Sequence, residues 1–216
     1  MAKRKDGKET KQKLLDVACR IFAEKGFREA KITEICRRAG ANVAAVNYYF
    51  GDKESLYVAA WRQAIEQFIT SDILPPEDLS PTERLRLAIY RIIQKTLIVD
   101  EKGGYFRSLE LMELANPTGL IDESWNELIA PRKQELLKIV RDVAGPTVPE
   151  EAVRLCAMSI VNQCRGFTLM QKGRLKSFDD LPLTPERAEQ IALHITDFSI
   201  AGIAAIRKQT TTTIDE

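Results

Sequence analysis

Three residues in one short stretch constrain this chain more than any other feature: Cys36, Gly40 and Val46, within AKITEICRRAGANVAAVNYYFGDKE at residues 30–54. Cys36 is a small residue of the kind needed where two helices approach closely. Gly40, four positions on, suits a turn whose backbone angle a side chain would penalise. Val46, six further on, is an apolar plug on a second short helix, and Asn42 is a good N-cap for that helix. Small–x3–Gly–x5–aliphatic is the spacing of a helix-turn-helix, which predicts which side chains face bases and which face phosphates.

The rest of the chain reads helical almost throughout, so the expected fold class is all-α. Glu9–Lys25 carries Leu14, Ala18 and Phe22 at i, i+4 and i+8, and Gly26 stops it. Ile32–Ala39 and Val43–Tyr49 are the two motif helices. Asp52 caps a fourth that runs to about Ile69, with Leu56, Ala60 and Ala64 on one stripe. Ser80-Pro81-Thr82-Glu83 offers a cap, a Pro at the first helical position and a capping-box carboxylate for a helix to about Val99. Gly103-Gly104 marks a turn before Tyr105–Ala115, and a longer stretch follows at Ile121–Val143 with a break expected at Pro131. Glu150–Lys172 and Pro185–Lys208 are the last two helices. The expected division is a reader at 1–52, a connecting helix at 53–69, a body at 70–208 and a frayed tail at 209–216.

Charge is distributed unevenly. Residues 1–62 carry 14 Lys and Arg against 8 Asp and Glu, whereas the remainder carries 18 against 23. A basic quarter on a mildly acidic body is the footprint of a chain that meets nucleic acid at one end. No apolar run is long enough to span a bilayer and MAKRKDGKET is unlike a signal peptide, so a cytoplasmic protein without a membrane partner is expected. Cys19, Cys36, Cys156 and Cys164 form no CxxC and read as buried thiols; no metal or other cofactor is implied.

Residue chemistry sorts the candidate DNA contacts. Asn42 roots the second motif helix. Ala44 and Ala45 let its backbone sit close to the groove floor, where a methyl can meet thymine. Asn47 can match adenine in the major groove, or bond a phosphate or its own helix. Thr33 is a phosphate or base contact, and Tyr48 and Tyr49 carry hydroxyls that can reach phosphate oxygens. Lys53, with the exposed N–H groups of the helix it starts, makes an anion site. Arg37 and Arg38 read equally well as contacts or as solvated charge. The arm AKRKDGK can trail into the minor groove and is expected to be disordered without DNA.

The same residues carry a family resemblance. Phe22, Gly26 and Phe27, then Ile35, Cys36, Ala39, Gly40, Ala41 and Asn42, then Val46, Asn47, Tyr49, Phe50, Lys53 and Glu54 resemble the pattern of TetR-family transcriptional regulators over about residues 10–62. VAAVNYYFG and FRSLELMELANP look like a CecR-type subgroup. Two positions depart from the pattern: Lys31 stands where a capping Thr is common, and Asn47 replaces a common Tyr. The resemblance implies a repressor on a palindromic operator, with phosphate contacts from Lys53 and at least one of Tyr48 and Tyr49. It also implies a small-molecule effector held in the body.

One short recognition helix reads too few bases alone, so a homodimer with readers about one DNA turn apart is expected. The last two helices are the candidate interface, through Val153, Ala157, Ile160, Val161, Cys164, Ile191, Ile195, Phe198, Gly202 and Ala205; the alternative is core within the chain. Candidate pocket walls are Phe106, Met112, Trp125, Phe167 and Met170, with Arg107, Glu110, Asn162 and Gln163 as polar anchors. Arg107 and Glu110, at i and i+3, equally suit a pair with each other. An enzyme fares poorly: His194 is the one histidine, Asp197 shares its helix face, and no nucleophile motif or Gly-rich phosphate loop serves them. A protein-binding adaptor, or an architectural DNA binder without an effector, is the other alternative.

Overall fold

The structure, a computed structural model, describes the backbone of residues 2–69, 75–97, 105–171 and 184–214, and side chains at 7–69, 75–95, 105–167 and 184–210. These residues form ten helices and no strand: α1 (Ala2–Glu29), α2 (Ile32–Ala39), α3 (Val43–Phe50), α4 (Lys53–Ile69), α5 (Pro81–Leu97), α6 (Tyr105–Ala115), α7 (Asp122–Leu128), α8 (Ala130–Ala144), α9 (Glu150–Gln171) and α10 (Pro185–Ile214). The expected ends at Val99 and Lys172 and the Gly103-Gly104 turn lie outside the described residues.

Local chemistry sets most of the boundaries. Gly26 interrupts α1 with φ 75° and ψ 174°, so the regular helix stops where the sequence places its stop. Ser80 and Glu83 close a capping box at α5: the Ser80 N–H donates to Glu83 Oε2 at 2.9 Å and the Glu83 N–H to Ser80 Oγ at 3.4 Å. Thr184 accepts the Arg187 N–H at 3.2 Å at the start of α10.

Three local expectations are corrected. The arm is helical from Ala2, continuous with α1, rather than disordered. The tail is helical to Ile214 rather than frayed from 209. The break near Pro131 falls at Ile129, and Pro131 sits in the first turn of α8, where a missing N–H breaks no intrahelical bond.

Contacts divide the chain into two compact units, residues 1–70 with 99–130 and residues 71–98 with 131–216. The expected division placed α6 and α7 in the body; their contacts are with the reader helices. In the first unit, Leu14, Ala18, Ile21 and Phe22 of α1 pack with Ile35 of α2, Val46 of α3, and Leu56, Tyr57, Trp61 and Ile65 of α4. Phe106 and Leu109 of α6 and the buried Ile121 join the same core. The expected connecting helix α4 is thus the centre of this unit. A helix apolar on two sides has two neighbours to satisfy, and sequence period does not say which elements they are.

The second unit packs α5, α8, α9 and α10 through Leu85, Ile89, Ile139, Val140, Ile160 and Ile195. It corrects the interface assignment. Val153, Ala157, Ile160, Cys164, Ile191 and Ile195 are buried in this unit's own core, and Val161 is half-buried against it. Phe198 (65% exposed), Gly202 and Ala205 remain outside on α10, joined by Leu193 and, on α9, by Leu155 and Met158.

The turn between α2 and α3 predicts a measurable cost. Gly40 has φ 66° and ψ 33°, and nothing lies within 4 Å of where its Cβ would stand. Gly40→Ala should therefore destabilise through backbone strain alone, by about 1 kcal/mol in denaturant unfolding of the first unit. A wild-type midpoint would contradict the left-handed turn.

Candidate nucleic-acid interface

The turn is a Schellman closure. The Gly40 N–H donates to Arg37 O at 3.4 Å and the Ala41 N–H to Cys36 O at 2.9 Å, satisfying carbonyls that the end of α2 would leave bare. Two residues later Asn42 Oδ1 accepts the Ala45 N–H at 2.9 Å, so α3 starts on a side-chain cap as its sequence predicts. Lys31, at the α2 N-cap, makes no such bond.

α3 buries one residue fully, Val46, at 1% exposure. Val43, Ala44, Asn47 and Tyr48 point outward, with Tyr48 81% exposed. Ala45, Tyr49 and Phe50 are half-buried against the core. Of the residues assigned to DNA, Asn42, Ala44, Asn47 and Tyr48 therefore share one open face, while Ala45 and Tyr49 turn inward. Tyr48 and Tyr49 meet edge to face at 4.9 Å, and Tyr49 Oη stands 3.1 Å from where a Cβ on Gly7 would be. Val43, 44% exposed, was missed; its place directly after the Asn42 cap is the signal that could have found it.

α2 separates its two arginines. Arg38 donates to Glu34 at 2.8 Å and reaches Glu24 of α1 at 3.5 Å, and Lys25 bonds the same Glu34 at 2.6 Å. The Lys25 bond is the main cause holding the Glu34 carboxyl below its ordinary pKa. Exposed pairs of this kind each contribute little, but together they tie α2 to α1. Thr33 and Arg37, one turn apart, are both exposed.

Lys53 opens α4. Its ammonium lies 4.7 Å above the Phe27 ring and donates to Arg28 O at 3.3 Å. Partial burial lowers its pKa, offset in part by Glu29. An ammonium has three donors, so one ring contact and one carbonyl leave it able to take a phosphate oxygen. Asp52 Oδ1 already accepts the Ser55 N–H at 2.7 Å, so the first turn of α4 offers an anion fewer N–H groups than its sequence implies.

Two family models match. One described as "Bacterial regulatory proteins, tetR family" covers residues 14–60, and one described as "HTH-type transcriptional dual regulator CecR, C-terminal domain" covers 81–203, more than half of the chain. This chain belongs to the TetR family. This regulator is 27% identical over 213 residues to the HTH-type transcriptional dual regulator CecR of Shigella flexneri, covering 92% of this chain and 94% of that one. It is 31% identical over 121 residues to RutR of Escherichia coli strain K12, covering 56% and 55%. Its fold is similar to a transcriptional regulator from Rhodococcus sp. RHA1, with TM-score 0.61, 21% identity and 89% and 95% of the chains covered. It is also similar to AibR in complex with isovaleryl coenzyme A and operator DNA, with TM-score 0.57, 18% identity and 88% and 97% covered. It is thus a DNA-binding transcriptional regulator, not an enzyme. His194, the residue weighed for catalysis, is exposed and stacked 6.2 Å from Phe198.

The residues assigned to an effector separate between the units of this TetR-family chain. Phe106, Arg107, Glu110, Met112 and Trp125 are in the first unit; Asn162, Gln163 and Phe167 are in the second, and the Met170 side chain lies outside the described residues. Trp61 has Phe106 at 5.6 Å and Trp125 at 6.2 Å, and Phe68 meets Phe106 at 4.7 Å. Arg107 stacks 4.7 Å over Phe68 and pairs with buried Glu110 at 2.8 Å, as their i, i+3 spacing allows. Two buried donors beside this cluster, Trp61 Nε1 and Arg107 Nε, have no hydrogen-bond acceptor among the described residues. In the second unit, exposed Asn162 lines a groove of about 190 Å³ with Lys133, Leu136, Ala157 and Met158. Gln163 bonds Ser159 O of its own helix at 3.4 Å, and Phe167 rests on the core.

The cap and the open face separate in one pair of variants. Asn42→Ala should cost about 1 kcal/mol of stability and speed hydrogen exchange at the Ala45 amide. Asn42→Asp should keep the cap, and hence stability, while weakening DNA binding through repulsion of phosphates. Equal DNA affinity for Asn42→Asp and wild type would take residue 42 off the DNA face.

Proposed function

We propose that this regulator is a cytoplasmic homodimeric repressor that leaves a palindromic operator when a small-molecule effector binds. The open face of α3 carries the DNA part of this reading: Ala44, Asn47 and Tyr48 stand together where a major groove could receive them, with the Asn42 cap at their head. Asn47 reads a base edge, Tyr48 and Thr33 bond phosphates, and Lys53 anchors the backbone. Half-buried Ala45 and Tyr49 shape the helix and its seat rather than lead the contact.

A dimer is supported by exposed Phe198, Leu193, Leu155 and Met158, large apolar side chains on the two longest helices of the second unit. Gly202 and Ala205 would let a partner helix approach closely there. The effector is supported by Trp61 Nε1 and Arg107 Nε, buried donors without an acceptor among the described residues, each costing roughly 1–3 kcal/mol until something accepts from it. AibR, similar in fold, carries isovaleryl coenzyme A and operator DNA together in one structure. For an effector to release DNA, the two must prefer different arrangements of one protein, and the coupling is reciprocal.

Selection of bound sequences from a random duplex pool tests the reading. A repressor of this kind should enrich a two-fold symmetric site with half-sites about one helical turn apart; uniform recovery would favour an architectural binder. Asn47→Ala should relax preference at one position per half-site, at ~1–3 kcal/mol there. Lys53→Ala should weaken all sequences alike and lower the salt slope by about 1 per chain. Unchanged profiles would remove both residues from the interface.

A further inference from the structure

A continuous set of contacts runs inside the first unit from α6 to the ammonium of Lys53. Buried Tyr57 Oη donates to Glu113 Oε1 at 2.5 Å. The same carboxylate accepts the Thr118 N–H at 3.0 Å and the Thr118 hydroxyl at 2.8 Å, so it pins the end of α6 and the turn beyond it onto α4. The Tyr57 ring touches Phe27 at 5.1 Å, and Phe27 carries Lys53 at 4.7 Å. Arg28 O, the next residue's carbonyl, fixes the same ammonium at 3.3 Å.

Two features make this more than ordinary packing. A carboxylate bonded by three donors in a buried setting is stiff, because charge-assisted bonds strengthen where water is excluded. Burial and the Glu113 carboxylate also push the Tyr57 phenol above its ordinary pKa, which keeps the proton on the donor. Beside it, a cavity of about 280 Å³ is lined by Phe27, Arg28, Tyr57, Met112, Glu113 and Thr118. Phe27 therefore has open space on one side, and the Tyr57 ring at 5.1 Å, with Phe22 stacked at 6.4 Å, packs against it.

We propose that Glu113 and Tyr57 are positioning residues for Lys53, setting through Phe27 where the ammonium stands when DNA arrives. The proposal rests on the reading of Lys53 as a backbone anchor.

A double-mutant cycle tests it. Wild type, Tyr57→Phe, Lys53→Ala and the double variant are titrated with the random duplex pool at several salt concentrations, with far-UV circular dichroism to confirm folding. Tyr57→Phe keeps the ring and removes the bond to Glu113. It should weaken binding by about three- to tenfold in the presence of Lys53 and by less than about twofold in its absence. Glu113→Met, which has the length of the glutamate but leaves the Tyr57 hydroxyl no oxygen to donate to, should reproduce the pattern, and it serves alone if Tyr57→Phe does not fold. Equal losses in both backgrounds would make Tyr57 merely structural and overturn the positioning role while sparing Lys53. No loss from Tyr57→Phe would do the same. A Lys53→Ala protein with wild-type affinity and salt slope would overturn the anchor and the positioning role together.

Discussion

The reading end of the molecule depends on the burial of α4 on more than one side. Leu56, Tyr57, Ala60, Trp61, Ala64 and Ile65 are all wholly removed from solvent. Each of the larger aliphatic side chains among them contributes roughly 1.5–3 kcal/mol by leaving water. α1 and α3 take up part of that surface and α6 and α7 the rest, so one helix orders both the DNA-facing motif and the aromatic cluster around Trp61. Lys53 and Trp61 stand on the same rod. A disturbance at the cluster therefore has a rigid element through which to reach the lysine.

Charge near the DNA face is divided between cohesion and contact. Arg38 and Lys25 are spent on Glu34, which fastens α2 to α1 and keeps the motif in register. Thr33, Arg37, Asn47 and Tyr48 are left toward solvent. Net positive charge in the first 62 residues overstates the charge that DNA can meet, because part of it is already neutralised inside the unit.

Features set by a few adjacent atoms were legible in the sequence. Gly40, the Asn42 cap, the Gly26 stop and the Ser80–Glu83 box each follow from a backbone angle or an orphan N–H that one residue type satisfies. Partner choice was not legible. The apolar stripe of α9 and α10 reads the same whether it meets α5 or a second copy, and here Val153, Ile160, Ile191 and Ile195 face inward. That α6 and α7 pack on α4 was not legible for a similar reason. Phe106 and Leu109 announce a buried face without saying that Trp61 lies opposite. That one of Tyr48 and Tyr49 packs inward was expected without saying which; the helix phase against Val46 turns Tyr48 out and Tyr49 in.

The approach of Tyr49 Oη to Gly7 ties the beginning of the chain to its recognition helix. Since α1 is helical from Ala2 onward, its first turns lean as a rod against the side chain that seats α3. A purification handle fused ahead of Ala2 would be carried by that rod, and its bulk would bear on the groove-reading surface.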